Sequence, residues 1–402
     1  MRIAVFHNLP SGGAKRALYD YVKYLTKLKI NVDVFVPSTA DEKFLPLSDV
    51  ANVYVYNVKQ TLISPILSFA KYNVPIKNLF ELEKTEKYIA EIINKKNYDA
   101  VLCEQDRYTM SPFILKYLKK PTVYYCQQPL RITEAIIRKI TDRMYSHKYK
   151  FRRTLIKFLR YIYGIKMTKI DLENALHSKY MVCNSYFSRE SILRRYGINS
   201  YVSYLGVNTE LFRPIETSDD EFILTVGSLT PAKGFDFIIR SINYINKKNR
   251  PKLIIVSNFV NTKWKEYIEY LARKLEVNIE IKVMVNNNEL VKLYNKAKLV
   301  VYAPYLEPFG LVPLEAMACG TPVIAVKEGG VRESVVHEET GLLVDRDEEI
   351  FAEAIISLLT DDERREKMRE KCIKVVNDFW TIEHAGERLL NHIYRSIERY
   401  GR

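Results

Sequence analysis

Short apolar runs rich in β-branched residues alternate along the chain with longer amphipathic stretches. The runs predict strands, and stretches such as 14–28, 235–247 and 288–296 predict helices between them. Strands that are apolar throughout and separated by helices are typical of parallel sheets covered on both faces, so the pattern predicts an α/β fold. The predicted strands are 3–6, 32–36, 53–56, 100–103, 122–125 and 180–183 in the first half of the chain, and 222–226, 253–256, 279–283, 299–302, 322–326 and 342–344 in the second.

The two series of strands predict two doubly wound domains. With 402 residues the chain is long enough for two domains of ordinary size. The polar stretch 206–218, which contains Pro214, is the predicted seam between them. We therefore expect an N-terminal domain at 1–205 and a C-terminal domain at 206–380, followed by a terminal segment at 381–402. Because open α/β sheets bind ligands at the carboxyl ends of their strands, we expect the site in a cleft between the two domains.

The composition is that of a globular protein, with 47% hydrophobic and 27% charged residues. It excludes disordered, collagenous and disulfide-scaffold proteins. The five cysteines are an odd number without a close pair, and several of them end apolar runs, so we expect reduced and buried thiols. The chain enters a predicted strand at Ile3, and no apolar stretch approaches the roughly 18 residues of a membrane span. Neither a signal peptide nor a spanning helix is therefore expected.

The segment 303–322 carries the most informative group of polar residues. A loop holds Glu307, and a helix that begins near Pro313 and stops at Gly320 holds Glu315. Free N–H groups at a helix entrance bind phosphate, and carboxylates accept hydrogen bonds from vicinal hydroxyl groups such as those of a ribose or a hexose. The arrangement indicates a nucleotide-sugar site, with two solvated glutamates near a helix start as an alternative of equal weight.

The whole string resembles the signature of the retaining glycosyltransferases of family 4, which are also called the group 1 glycosyltransferases. The matching part reads E-x-F-G-x-x-x-x-E-A-M-A-C-G-T-P-V from Glu307 onward, and the likeness continues through Gly329-Gly330 to residue 344. It covers essentially the whole chain. The resemblance implies the GT-B fold, in which two Rossmann-like domains face each other across a cleft. A terminal helix, here within 381–402, then packs back on the N-terminal domain.

The resemblance also implies roles for individual residues. Glu307 would contact the donor hexose, Glu315 would hold the ribose, and Lys233 would bind the diphosphate. Glu307 and Lys233 are the implied catalytic residues. The other donor-side candidates are the backbone N–H groups of Phe309, Gly310 and Leu311, the loop residues Gly12 and Gly13, Gly227 and Ser228 beside Lys233, and the base-side pair Met284 and Val285.

Two positions depart from the pattern of the family. Ser228 stands where relatives usually carry an arginine, and a hydroxyl supplies no charge to the diphosphate. Lys233 must then neutralise the leaving group with less help, unless another cation contributes. Gln127 stands where relatives often carry a histidine, and a glutamine can orient a sugar hydroxyl but cannot carry a proton. Arg131 matches a basic residue of the family and is expected on an acceptor phosphate, so Gln127 and Arg131 are the acceptor-side candidates.

The positive charge of the chain is concentrated in one segment. The net charge is +14, and residues 131–170 contribute +10 of it, with twelve basic and two acidic residues. A basic helix with an aromatic-bearing apolar stripe is typical of membrane interfaces, so we expect residues 145–165 to bind an anionic membrane. The alternatives are a stripe that packs on the N-terminal domain and, less favoured, nucleic acid. The predicted stripe consists of Phe151, Leu155, Phe158, Ile162 and Ile165.

Together these features predict a retaining, metal-independent hexosyltransferase that is cytoplasmic and peripheral on the cytoplasmic face of a membrane. It would move a hexose from a nucleoside diphosphate sugar to a hydroxyl of a lipid-linked or membrane-borne glycan, without a further cofactor. Two alternatives stay open, and Ser228 and Gln127 favour the first of them. One is a noncatalytic nucleotide-binding module, and the other is a GT-B enzyme of a different reaction type, such as an epimerase or a phosphorylase.

Overall fold

A computed structural model of the chain describes residues 1–59, 76–131, 150–217 and 220–401. The described residues fall into two compact units. The first unit takes in residues up to 131, residues 150–204 and residues 385–401. The second unit takes in the described part of 205–384.

The first unit is built on a seven-stranded sheet in the order β3-β2-β1-β4-β5-β6-β7. Neighbouring strands pair in parallel throughout the sheet, for example Ile3 with Val32 and Ile3 with Ala100. The strands are β1 Arg2–Asn8, β2 Asn31–Pro37, β3 Asn52–Tyr56, β4 Ala100–Asp106, β5 Thr122–Tyr125, β6 Tyr180–Cys183 and β7 Tyr201–Val202. The helices are α1 Gly13–Lys27, α2 Ile76–Lys95, α3 Lys150–Ala175 and α4 Tyr186–Tyr196.

The second unit is built on a six-stranded parallel sheet in the order β10-β9-β8-β11-β12-β13. Its strands are β8 Asp220–Val226, β9 Lys252–Ser257, β10 Ile279–Val283, β11 Ala297–Tyr302, β12 Val323–Val326 and β13 Gly341–Val344. Its helices are α5 Phe235–Tyr244, α6 Thr262–Lys274, α7 Asn287–Lys296, α8 Leu311–Ala318, α9 Glu348–Leu359 and α10 Asp362–Val375.

The last helix, α11 Ile382–Tyr400, joins the first unit from residue 385 onward. Its His392 Nδ1 lies 2.9 Å from the Tyr180 hydroxyl of β6. Gly386 packs directly on α1, because a Cβ added there would lie 2.2 Å from Cδ1 of Tyr24. A residue without a side chain therefore allows the helix to approach α1 this closely.

The α/β architecture follows the sequence prediction closely. Each predicted strand is present, and most of them extend one to three residues beyond the predicted ends. The strand that the sequence did not predict is β7, which has only two residues and is too short to produce an alternating pattern. All five cysteines are buried and free of disulfide bonds.

The described end of the basic segment shows which of its apolar residues face the core. The side chains of 150–160, with Phe151, Leu155 and Phe158 of the predicted stripe, lie outside the described residues, as does 132–149. Ile162 and Ile165 belong to the same stripe and are each 49% exposed. Helix α3 instead packs inward through Met167, supported by Tyr163 and Ile170, on a small cluster that includes Leu82 and Phe113. The helix therefore has apolar residues on two faces. Ile162 and Ile165 of the predicted stripe lie on the face that points away from this cluster.

Across the described residues, no helix combines the length and the apolar character that a bilayer span requires.

Candidate functional site

The candidate site of the second unit is the loop that joins β11 to α8. Gly310 occupies the N-cap of α8 with φ 95°, a conformation that favours glycine. A Cβ added there would also lie 3.1 Å from Cε1 of Tyr302. The helix therefore begins at Leu311, two residues before the predicted start near Pro313, and its first N–H groups follow directly on the loop.

An ion pair joins the two predicted catalytic residues. Lys233 Nζ lies 2.7 Å from Glu307 Oε2, and the two side chains are 24% and 22% exposed. Lys233 ends a short turn, Pro231–Lys233, after which Gly234 takes φ 68°. A Cβ at Gly234 would lie 2.0 Å from the carbonyl oxygen of Ala303, so the turn packs against the start of the loop. The sequence placed the two residues in one unit but did not predict that they contact each other.

The second glutamate of the motif lies deeper than its partner. Glu315 on α8 is buried, and its Oε2 accepts a hydrogen bond of 2.8 Å from the hydroxyl of Tyr294 on α7. Burial raises the pKa of the Tyr302 hydroxyl, and the nearby carboxylates of Glu307 and Glu315 raise it further. Tyr302 therefore lies close to both glutamates of the motif. Tyr294 and Tyr302 are contacts of the site that the sequence analysis missed, because their spacing follows no local motif.

Gly329 and Gly330 pack closely against the backbone of the loop that carries Glu307. A Cβ added at Gly329 would lie 2.3 Å from the carbonyl oxygen of Glu307, and one added at Gly330 would lie 2.1 Å from that of Pro308. The N–H of Gly330 donates to the Glu307 carbonyl at 2.8 Å. The close approach explains why this turn needs residues without side chains.

The remaining donor-side candidates have different surroundings. Gly227 packs against Lys233, since a Cβ there would lie 3.3 Å from the Lys233 Cγ. Ser228 is half-buried and its hydroxyl lies 3.4 Å from that of Thr230. Met284 is 71% exposed, with its N–H bonded to the Ser257 carbonyl, and Val285 follows it half-buried. Phe309 is buried with its ring 5.7 Å from that of Trp380, so only the backbone of this residue can serve a ligand.

The candidates of the first unit lie at the carboxyl edge of its sheet. Gly12 is the N-cap of α1 with φ 145°, a region open mainly to glycine, and Gly13 is the first residue of that helix. Gln127 follows β5, and Arg131 is half-buried four residues later. Ser185 is the N-cap of α4, because its side chain accepts a hydrogen bond from the Ser188 N–H.

Gln127 is 6% exposed and forms part of a buried polar network. Its Oε1 accepts a 2.8 Å hydrogen bond from Asn184, and its Nε2 lies 3.4 Å from both carboxyl oxygens of Glu104. Burial raises the pKa of Glu104 to about 8, although the hydrogen bond from Gln127 opposes this rise. A proton can therefore reside on Glu104, beside the residue that replaces the expected histidine. Glu104 is not among the site residues that the sequence predicts, since a carboxylate at a strand end carries no signal of its burial.

A second buried cluster lies where β1 runs into α1. Lys15 of α1 is fully buried and pairs with Glu42, and His7 Nε2 lies 2.9 Å from the same carboxylate. Burial lowers the pKa of His7 to about 4. Burial also acts to raise the pKa of Glu42, but the hydrogen bonds from His7 and Lys15 outweigh it and lower that pKa to about 2. The cluster anchors the chain on both sides of the Gly12-Gly13 turn.

Two family models match the chain. The model described as glycosyl transferases group 1 matches residues 207–375, and the model of glycosyltransferase family 4 matches residues 11–211. An uncharacterised glycosyltransferase of Methanocaldococcus jannaschii is 34% identical over 194 residues, which cover 47% of this chain and 49% of the relative. A probable sucrose-phosphate synthase of Thermosipho melanesiensis is 30% identical over 298 residues, which cover 65% and 67%. The chain thus spans about half to two thirds of the length of these relatives.

The fold is similar to that of solved glycosyltransferases over nearly the whole chain. The sucrose-phosphate synthase of Thermosynechococcus elongatus superposes with a TM-score of 0.73 at 19% identity, covering 99% of each chain. HepE of Anabaena, solved in complex with UDP, gives a TM-score of 0.73 at 16% identity and covers 98% of this chain and all of that one. The predicted GT-B fold class is confirmed.

The raised pKa of Glu104 predicts a pH-dependent cost of burial. Burial raises the pKa of this carboxyl group from 4.5 to about 8. Its contribution to the stability of wild type is therefore fully present below about pH 4.5 and is lost as the pH rises through 8. Since one pKa unit corresponds to about 1.4 kcal/mol, the loss reaches a few kcal/mol. We expect Glu104→Gln to unfold at a higher temperature than wild type at pH 8.5 and at a similar temperature at pH 4.5.

Thermal unfolding monitored by circular dichroism measures this difference, and the exposed Glu91→Gln variant is the control. A difference that does not change with pH would contradict the assigned burial effect.

Proposed function

The chain belongs to the group 1 glycosyltransferases of family 4, and from this membership we propose that it transfers a hexose from a nucleoside diphosphate sugar to an acceptor hydroxyl, with retention of the anomeric configuration. The observation that carries the proposal is the pair of Lys233 and Glu307 at the entrance of α8. It brings a cation, a carboxylate and free helix N–H groups to one place. A diphosphate needs the cation and the N–H groups, and a hexose hydroxyl needs the carboxylate.

The donor would occupy the loop and the start of α8 in the second unit. The diphosphate would lie on Lys233 and on the N–H groups of Gly310 and Leu311, and the hexose on Glu307. Glu315, already bonded to Tyr294, would accept a hydrogen bond from the ribose. HepE of Anabaena, which shares the fold, has been solved with UDP and glucose and with UDP-glucose, and this supports a nucleotide sugar as the donor.

The proposed chemistry is substitution on the face of the sugar that the diphosphate leaves. The bond between the anomeric carbon and the phosphate oxygen breaks, and the acceptor oxygen forms its bond to the same face. The departing phosphate takes the proton of the acceptor hydroxyl, so no histidine base is required at Gln127. Lys233 and the N–H groups of the helix entrance stabilise the charge that develops on the diphosphate, and the mechanism needs neither a metal ion nor a further cofactor.

We propose that the acceptor is a lipid-linked or membrane-borne glycan and that the protein binds the cytoplasmic face of the membrane as a peripheral protein. The described end of α3 supports this, because Ile162 and Ile165 are half exposed beside the exposed Lys166. Segment 131–170 holds +10 of the net charge of +14, which complements an anionic lipid surface.

The first prediction from the proposed function concerns Lys233. Removal of one preorganised charge at the leaving group typically costs about 3 kcal/mol, so Lys233→Ala should lower the transfer rate about a hundredfold. Its unfolding temperature should stay within a few degrees of wild type, because the side chain is a quarter exposed. The donor for the assay is the one among UDP-, GDP-, ADP- and dTDP-sugars that raises the unfolding temperature of wild type most. Lys263→Ala on the exposed face of α6 is the control, and transfer by Lys233→Ala within tenfold of wild type would rule out the role.

The second prediction separates the two glutamates. Glu307 pairs with Lys233, so a diphosphate must compete with a carboxylate for the ammonium group. Glu307→Gln removes the competing charge and should bind the nucleoside diphosphate severalfold more tightly than wild type while its turnover falls. Glu315→Gln should instead bind the nucleotide more weakly. Isothermal titration calorimetry with the nucleoside diphosphate measures both, and matching changes in the two variants would contradict separate hexose and ribose contacts.

The third prediction concerns the membrane. The triple variant Ile162→Ser, Ile165→Ser, Lys166→Gln should cosediment much less with vesicles of phosphatidylglycerol and phosphatidylcholine, since it loses the exposed apolar residues and a basic residue worth about 1 kcal/mol at the surface. Transfer to a soluble short-chain acceptor should change little. The matched control, Tyr244→Ser, Tyr270→Ser, Lys263→Gln, removes similarly exposed groups from the second unit. If wild type does not bind these vesicles, or if both triple variants bind them equally, the membrane proposal fails.

A further inference from the structure

One arginine outside the glutamate motif connects the carboxyl ends of three neighbouring strands. Arg346 lies two residues after β13, and its side chain is only 15% exposed. We propose that Arg346 is a positioning residue that holds the loop carrying Glu307 in its donor-binding geometry. The inference rests on the proposed function for its kinetic consequence, but its structural part is testable without a donor.

The guanidinium group binds the backbone of the loop directly. Nη1 donates to the carbonyl oxygen of Ala303 at 3.0 Å, and Nη2 donates to that of Pro304 at 2.8 Å. These carbonyls follow the last residue of β11 and come three and four residues before Glu307. The same guanidinium carbon lies 3.9 Å from the ring centre of Tyr305, so the side chain covers the next residue of the loop as well.

The other side of the guanidinium group binds the segment that follows β12. Nε lies 2.8 Å from Glu328 Oε1 and Nη2 lies 2.9 Å from Glu328 Oε2, which is a bidentate pair. Glu328 immediately precedes Gly329 and Gly330, whose backbones contact Glu307 and Pro308. Arg346 therefore holds the loop at its start, and through Glu328 it holds the glycine turn that supports the loop at Glu307.

The set of partners requires the planar fork of an arginine. Two carbonyl oxygens and two carboxylate oxygens lie around one guanidinium group, while Tyr305 lies against it. A lysine ammonium carries the same charge but is a point donor that cannot reach all four oxygens at once. Asp347, the next residue, caps α9 through the N–H groups of Glu349 and Ile350, which limits the movement of the chain that bears Arg346.

The chain contains a matched control for the loss of such an arginine. Arg365 is 12% exposed and binds the carbonyl oxygens of Leu358 and Leu359 and the carboxylate of Asp362. These three partners belong to α9 and α10, which lie outside the loop that carries Glu307. Arg365→Ala should therefore lose stability as Arg346→Ala does, without disturbing Glu307.

The structural test is amide hydrogen exchange on Arg346→Ala, Arg346→Lys and Arg365→Ala. Two amides report on the loop: that of Tyr305, which donates to the Ala232 carbonyl at 2.9 Å, and that of Gly330, which donates to the Glu307 carbonyl at 2.8 Å. We expect both amides to exchange faster than in wild type in the two Arg346 variants and at the wild-type rate in Arg365→Ala.

The kinetic test uses the same three variants at a temperature well below their unfolding transitions. Misplacement of a reacting group by about 1 Å can cost on the order of a hundredfold in rate, so kcat should fall at least about tenfold in both Arg346 variants. Donor KM should change less than kcat, and Arg365→Ala should keep both values. If Arg346→Ala matches Arg365→Ala in exchange and turnover, or if Arg346→Lys restores wild-type behaviour, the positioning role is wrong. If wild type transfers no sugar, the proposed function fails, and the exchange data still decide whether Arg346 holds the loop.

Discussion

The architecture of the candidate site depends on how closely the Gly329-Gly330 turn approaches the loop that carries Glu307. Side chains at either glycine would overlap the backbone of Glu307 or Pro308, so the two segments can meet only where no Cβ is present. Gly234 allows a similar approach to Ala303 from the turn that bears Lys233. Backbone contacts of this kind position Glu307 from two sides. The side chains of Lys233 and Arg346 make further contacts with the same loop.

The candidate site pairs a cation with a carboxylate. Lys233 and Glu307, each about a quarter exposed, satisfy each other at 2.7 Å, which avoids leaving either charge partly desolvated without a partner. The same pairing means that a diphosphate would gain a cation only as the carboxylate is released toward a sugar hydroxyl. In the proposed reaction, binding the phosphate and orienting the hexose are therefore linked through one ion pair. Because the hydroxyl of Ser228 adds no charge, neutralisation of the diphosphate would depend more on Lys233.

In the first unit, the buried Gln127 stands at the position where the family resemblance leads us to expect a histidine. Gln127 is held by Asn184 and Glu104 in a network that water barely reaches, and burial keeps the pKa of Glu104 near 8. A glutamine fixed in this way can orient a neighbouring group but cannot exchange a proton. The proposed mechanism is compatible with this substitution, because the leaving phosphate takes the acceptor proton.

The sequence by itself determined the α/β class, the two sheets and nearly all their strands, because buried parallel strands are recorded locally as short apolar runs. It also singled out Glu307 and Glu315, since a ligand loop followed by a helix entrance leaves a local pattern of glycine, proline and carboxylate, and the family resemblance added Lys233. Only the tertiary structure decided that Lys233 pairs with Glu307 and that Ile162 and Ile165 face outward. It also decided that Glu104 contacts Gln127 and that Arg346 binds the loop that carries Glu307. These facts depend on contacts between residues from 18 to 74 positions apart and on burial by distant elements, neither of which the order of residues along one segment can express.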